Sequence, residues 1–290
     1  MATRRQFLRA AAAAAIGTPA AVGLYAWRVE PHWLEIVHRD LPLVGLPHDL
    51  ESRTLVQISD LHVGPQVDDD YLIHSLRRAA ALAPDFVAFT GDFLTRWQGR
   101  PRTDQLAHVL RAIPHGRLAT VAILGNHDYG VDWNNPAVAA AVAETVGQAG
   151  VQVLRNEVVT VAGLQLVGFD DLWAHRFTTA PLDRLDRDAA TLALVHNPDC
   201  VDRPGWNTGH GWILAGHTHG GQVKPPFLPP PILPVENRRY TAGEFDLPNG
   251  RRLYINRGVG HLARVRFNCR PEITAFRLTR GGVDVVGRGR

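Results

Sequence analysis

At 290 residues, 45% of them apolar and 20% charged, the chain has enough material to bury a sizeable core, and no linker long enough to separate two domains interrupts it. The 31 basic residues against 28 acidic leave a net charge of +3, concentrated near both ends, but no nucleic-acid module or aromatic–basic array accompanies it, which argues against nucleic acid as a partner. Cys200 and Cys269 are too few for a disulfide framework and lack zinc-site spacing, so buried free thiols are expected.

In chain order, Thr3-Arg4-Arg5-Gln6-Phe7-Leu8-Arg9 followed by the Ala-rich run Ala10–Trp27 resembles a twin-arginine export signal. Gly17, Pro19 and Gly23 break the run, so residues 1–27 read as a signal or a marginal N-terminal membrane anchor. The resemblance implies the twin-arginine translocase as a partner and an extracytoplasmic or membrane-associated location. Residues 28–51 read as a lead-in segment.

From there the pattern becomes strand–helix alternation. Arg53–Ser59, Asp85–Thr90 and Ala119–Leu124 are short apolar runs that read as buried strands, ending at Asp60, Asp92 and Asn126. Between them, Asp68–Ala83 and Thr103–Ile113 show helical spacing, with acidic or Thr starts and Pro stops. Beyond residue 150 the chain reads as strands with few helices: Val151–Leu154, Glu157–Val161, Leu164–Phe169, Thr191–Val195 and Trp212–Leu214. After a proline-rich loop come Tyr240–Phe245, Arg252–Asn256, Glu272–Thr279 and Val283–Val286. An α/β fold of two stacked mixed sheets with helices outside accommodates this pattern.

Five stretches carry metal-capable side chains: Asp60-Leu61-His62, Gly91-Asp92, Gly125-Asn126-His127-Asp128, His196-Asn197-Pro198 and Gly216-His217-Thr218-His219. Two divalent ions held about 3.5–4 Å apart can activate a water and clamp both oxygens of an in-line displacement at phosphorus. A carboxylate can bridge such a pair, while imidazoles and an amide oxygen fill the outer places without cancelling charge. Asp60 and Asp92 offset two of the four positive charges, which leaves an excess of about two for hydroxide and phosphate. Mixed His, carboxylate and amide ligands suit Mn, Fe or Zn. The remaining histidines read as surface or structural, with His261 alone placed near a pocket rim by the preceding Asn256-Arg257-Gly258-Val259-Gly260.

The order D-x-H, G-D, G-N-H-D, H, G-H-x-H between Leu55 and His219 resembles the calcineurin-like metallophosphoesterases. That resemblance implies a four-layer αββα sandwich, with a metallophosphoesterase domain spanning 52–290. It implies that Asp60, His62, Asp92 and His219 hold the first ion, that Asp92 bridges, and that Asn126, His196 and His217 complete the second. His127 would stay off the metals beside the phosphate, to stabilise the transferring group or protonate the leaving oxygen. Asp128 would orient that imidazole or cap the following helix. Gly91-Asp92-Phe93-Leu94-Thr95-Arg96-Trp97 lacks the second acidic residue of the protein serine/threonine phosphatases, although Arg96 falls at their arginine position and could contact phosphate.

Leu194-Val195-His196-Asn197-Pro198-Asp199, Gly216–Val223, Asn256–Gly260 and the leader together resemble the small membrane-associated phosphoesterases of the YaeI/YkuE type. The resemblance implies a phosphodiesterase or pyrophosphatase at the membrane or cell envelope. UDP-2,3-diacylglucosamine-like or other lipid-linked phosphoesters are its expected substrates, and the apolar loop Pro225–Pro234 would stand at the active-site mouth beside a membrane surface. The alternatives are a broad-specificity exported phosphatase of soluble phosphoesters and a noncatalytic phosphate-binding envelope protein.

Overall fold

The apolar runs that end at the candidate ligands are strands, and their side chains alternate between two cores. A computed structural model describes residues 3–95, 102–206 and 211–281. In chain order it contains α1 (Arg4–Leu24), β1 (Glu35–Leu43), β2 (Thr54–Ile58), α2 (Asp69–Ala80), β3 (Phe86–Thr90), α3 (Thr103–Leu110), β4 (Ala119–Ile123), α4 (Pro136–Gln148), β5 (Gln152–Val153), β6 (Glu157–Val161), β7 (Leu164–Gly168), β8 (Thr191–Leu194), β9 (Gly211–Ala215), β10 (Gly243–Asp246), β11 (Arg251–Ile255) and β12 (Glu272–Arg280), with short 3₁₀ turns between.

The strands form two mixed sheets, ordered β1-β12-β2-β3-β4-β5 and β10-β11-β9-β8-β7-β6. In the first, β2, β3 and β4 run parallel and β12 is antiparallel to β2; in the second, β7, β8, β9 and β11 run parallel between antiparallel edges. Successive strand residues point to opposite faces. Leu55, Phe86, Ala88, Val121 and Ile123 therefore meet Leu166, Leu192, Leu194, Trp212 and Leu214 between the sheets. Val56, Ile58, Val87, Phe89, Ala122 and Leu124 face the other way, onto Leu72 and Leu76 of α2, Leu106 and Val109 of α3, and Val142 and Val146 of α4. With both faces covered, these strands read as continuous apolar runs. The outer face of the second sheet is covered by loops and 3₁₀ turns, through Phe169, Leu182, Val201, Trp206 and Tyr240.

Two elements depart from the sequence reading. The segment read as a lead-in contains β1, which pairs in parallel with all nine residues of β12. Its middle, His38-Arg39-Asp40, is exposed and charged, as suits an edge strand, so no apolar run marks it. Helix α4 begins at the cap Asn135, whose Oδ1 accepts from the Ala137 and Val138 amides, followed by Pro136 at the first turn. Its Ala/Val sequence lacks the polar stripe by which an amphipathic helix is recognised. The expected strand Val283–Val286 lies outside the described residues.

Helix α1 starts with a capping box between Thr3 and Gln6, and from Gly17 to Leu24 its residues are all exposed. Its continuation is tied to the body: the Ala26 carbonyl accepts from the Arg266 amide, and the buried Glu30 carboxylate accepts from the Cys269 amide. Among the described residues, no helix is long and apolar enough to cross a membrane. Cys200 and Cys269 are free and buried.

Candidate metal centre

Five strands, β2, β3, β4, β8 and β9, end in loops at the same edge of the two sheets, where open α/β architectures bind ligands. The loops are locked together before any side chain is considered. Asp60 N and His62 N donate to Gly91 O and Asp92 O at 3.0 Å each, and Gly216 N donates to His196 O at 3.1 Å. Val259 and Gly260 donate to Ser59 O and Asp60 O, so the Asn256–Gly260 run lies alongside the first ligand loop. An added Cβ on Gly125 would overlap the Asp92 carboxylate and the His196 imidazole, and one on Gly216 would overlap Asp60 and Ser59.

Asp60, His62, Asp92, His217 and His219 all have positive φ, between 49° and 72°. Left-handed backbone is uncommon for residues other than glycine and collects where the surrounding structure over-determines it at functional sites. These side chains converge as two groups, Asp60/His62/His219 and Asp92/His196/His217, with the ligand atoms of each within 4.8 Å of one another. His62 Nε2 lies 3.0 Å from His219 Nε2 and 3.9 Å from Asp60 Oδ1, and His219 Nε2 lies 3.4 Å from the same oxygen. His217 Nδ1 lies 3.2 Å from His196 Nε2.

Asp92 joins the groups. Its Oδ2 is 3.5 Å from His62 Nε2 and 3.1 Å from His196 Nε2, while its Oδ1 accepts from the His127 amide at 2.9 Å. The His196 Nδ1 is 2.7 Å from Thr90 O, and donation there turns the Nε2 lone pair toward Asp92.

This constellation fits a pair of cations. Lone-pair donors face one another across the site, and both polar atoms of the fully buried Asn126 amide, together with His217 Nε2, have no hydrogen-bond partner among the described residues. Buried polar atoms are seldom left so. Burial holds His62 neutral, down to about 3 against the opposing pull of Asp92, and holds His217 and His219 neutral as well. Burial also works against a charged His196, but Asp92, Asp60 and Asp171 outweigh it and push that group up to about 10. Burial, resisted by His196, lifts Asp60 to about 6.

His127 belongs to neither ligand group, though its ring meets that of His62 edge-on with centroids 5.0 Å apart, and it lines a cleft of about 540 Å³ with Asp92, His217, His219, Trp133 and Trp173. Asp128 does something the sequence left open. Its carboxylate accepts from the Gly125 amide and the Leu94 amide, both at 2.9 Å, so it closes its own 3₁₀ turn and ties that turn to the loop after Asp92. Burial raises it to about 7, with Asp92 adding to the effect. Arg96 lies outside the described residues.

His261 Nε2 sits 2.9 Å from Gln66 O, and its neighbours Gln66 and Leu262 line the cleft, so it stands just behind the rim. The sequence reading missed Arg266, a fully buried guanidinium that donates to the carbonyls of Arg257, Gly258, Gly260 and Cys269 and lies behind His219. It also missed Asp171, buried and lifted to about 7 chiefly by burial, and the indole pair Trp133 and Trp173. No motif surrounds these residues, and a two-residue Asp170-Asp171 run was the only available signal.

Residues 53–221 match the calcineurin-like phosphoesterase family. The chain is 32% identical to the phosphodiesterase YaeI of Escherichia coli, over 96% of this chain and 100% of that protein. It is 31% identical to YkuE of Bacillus subtilis, an uncharacterized metallophosphoesterase, over 95% and 97% of the two chains. To the UDP-2,3-diacylglucosamine pyrophosphatase LpxG of Chlamydia trachomatis it is 26% identical, over 90% and 94%. With one carboxylate, Asp92, lying between two convergent groups of candidate ligands, the chain belongs to the calcineurin-like phosphoesterase family, whose members depend on two metal ions, and it is a hydrolase of phosphoester bonds.

Proposed function

We propose that this protein is a binuclear metal-dependent phosphodiesterase or pyrophosphatase that works at a membrane surface on lipid-linked phosphoesters. The observation that carries the catalytic half is the position of Asp92 Oδ2, within 3.5 Å of a ring nitrogen from each ligand group. Asp60, His62, Asp92 and His219 would hold one ion, and Asp92, Asn126, His196 and His217 the other. When bound, such ions supply Lewis-acid charge and a water ionisable at neutral pH; Mn, Fe or Zn would suit these donors. The protein's own part is to hold the substrate's phosphate between the ligand floor and His127. That imidazole, kept off the ligand groups, protonates the departing oxygen or steadies the charge on phosphorus. Asp128 acts through the backbone it anchors, and Arg96 would contact phosphate.

The membrane half rests on the rim. Pro234 and Leu262 line the cleft, and the loops they belong to expose Phe227, Leu228, Ile232, Leu262 and Val265. The Arg266 amide next to this loop donates to Ala26 O, in the turn that directly follows α1, so the N-terminal helix leaves the body on the same side. There Trp27 and Trp33 are half exposed, each under an arginine: Arg28 at 4.2 Å and Arg270 at 3.7 Å from the ring centroids. Exposed tryptophans paired with cations and flanked by apolar side chains suit the headgroup region of a bilayer. Export by the twin-arginine route would put the cleft at the outer face of that bilayer and argues against a nucleotide-activated substrate, since such precursors are cytoplasmic; an N-terminal anchor oriented inward would put the cleft on the cytoplasmic face and remove that objection. The UDP-2,3-diacylglucosamine pyrophosphatase relative supports a lipid-bearing diphosphate as substrate class.

A decisive experiment is hydrolysis of bis-p-nitrophenyl phosphate with added manganese, alongside metal analysis. Wild-type protein should bind two ions and turn the diester over, and Asp92→Ala should lose both. Two bound ions with no turnover of any phosphoester would favour the noncatalytic phosphate-binding alternative. A mass-spectrometric screen of lipid extracts and nucleotide sugars would then decide between lipid-linked and soluble substrates.

A further inference from the structure

We propose that Trp133 and Trp173 form a stacking platform for a nucleobase carried on the substrate, and so act as specificity-determining residues; this rests on the phosphohydrolase reading above. The two indoles are stacked, with centroids 4.9 Å apart and planes 28° off parallel. Trp173 meets His217 edge-on at 4.5 Å and 90°, and Trp133 lies 6.1 Å from the His127 ring. The pair thus forms a continuous wall from one ligand group to His127, and both indoles line the cleft that contains Asp92.

Neither indole is a member of the three apolar cores, and both keep part of their surface exposed. Trp133 has φ of 53°, a conformation strained for a bulky side chain. Its loop is fixed on both sides, by Trp133 N donating to Gly130 O and Asn135 N to Tyr129 O, so the indole's position is set by the turn that carries His127.

A nucleobase supplies the planar π-face that such an aromatic wall can stack on, and base–aromatic stacking needs no particular base. An acyl chain supplies no such face, and the aliphatic part of the cleft is contributed by Pro65, Pro234 and Leu262 instead. A substrate with a nucleoside on one side of the scissile bond and an apolar group on the other would use both walls.

The test compares two esters with one leaving group, thymidine 5′-(p-nitrophenyl phosphate) and methyl p-nitrophenyl phosphate, on manganese-loaded full-length protein. The wild type should favour the nucleoside ester in kcat/KM by at least about tenfold, and Trp133→Leu should cut that ratio by between about fivefold and a hundredfold, the range that stacking spans. Trp133→Phe, which keeps an aromatic face, should retain most of the preference. Thymidine monophosphate should quench the indole emission saturably, and methyl phosphate should not. No wild-type preference, or a ratio unchanged across the three proteins, would overturn the platform. If neither ester is hydrolysed while two ions are bound, the hydrolase reading fails; saturable quenching would then leave the platform standing alone, and its absence would remove that as well.

Discussion

The floor of the cleft and its rim are built in opposite ways. On the floor, Asp60, His62, Asp92, Asn126 and His196 are at most 1% exposed, their loops are cross-linked by backbone hydrogen bonds, and several adopt left-handed backbone. On the rim, the 224–234 and 262–265 loops lack regular structure and present Phe227, Leu228 and Ile232 to solvent. Gln222 ties the two rim loops together: its side chain donates to the Ala263 and Val265 carbonyls at 2.8 Å and accepts from the Leu262 amide, beside backbone bonds between Lys224 N and Phe267 O and between Phe267 N and Gln222 O. A floor that fixes ligand atoms to within tenths of an ångström suits chemistry on phosphorus. Apolar rims built from irregular loops are where related sites can diverge in substrate without disturbing that chemistry.

The sharpest way to break this contrast is within the floor. His127→Ala should lower kcat by about 10²–10⁴, the range for a positioned acid or base, while metal content measured by mass spectrometry stays at two ions. Equal loss of metal would show that His127 is a ligand. Gly125→Ala should be next in size: the methyl overlaps Asp92 and His196, so stability should fall by about 1–3 kcal/mol, and affinity for the ion at His196 and His217 by about tenfold. Thermal melting with and without manganese measures both effects, and unchanged metal binding would mean that the loop yields more readily than its hydrogen bonds suggest.

Gln222→Ala tests the rim and should be the smallest. Three solvent-side hydrogen bonds are lost, worth about 1 kcal/mol or less each, so bis-p-nitrophenyl phosphate turnover and metal content should move by less than about threefold. Vesicle co-sedimentation should fall more than turnover does. Loss of metal in this variant would tie rim to floor and end the separation.

The five ligand blocks were legible because they are local. Each sits one or two residues past an apolar run, and a strand end is the place where a buried sheet must release a polar side chain. Asp128 illustrates the boundary of that legibility. Its presence in the Gly125–Asp128 run was evident, yet its partners are two backbone amides, one of them Leu94, 34 residues away. Arg266 and Trp133 were invisible for a related reason: their significance comes from what surrounds them. A buried arginine satisfied by four carbonyls looks in sequence like any surface arginine.

The sequence alone determined the ligand types, their order and the strand ends that carry them, because side-chain chemistry and apolar periodicity are properties of short segments. Only the tertiary structure decided which carboxylate oxygen faces both ligand groups, that β1 closes the edge of the first sheet against β12, and that two indoles stand between His217 and His127. Those facts depend on how loops distant in sequence are packed onto one another, and packing is set by the whole core at once.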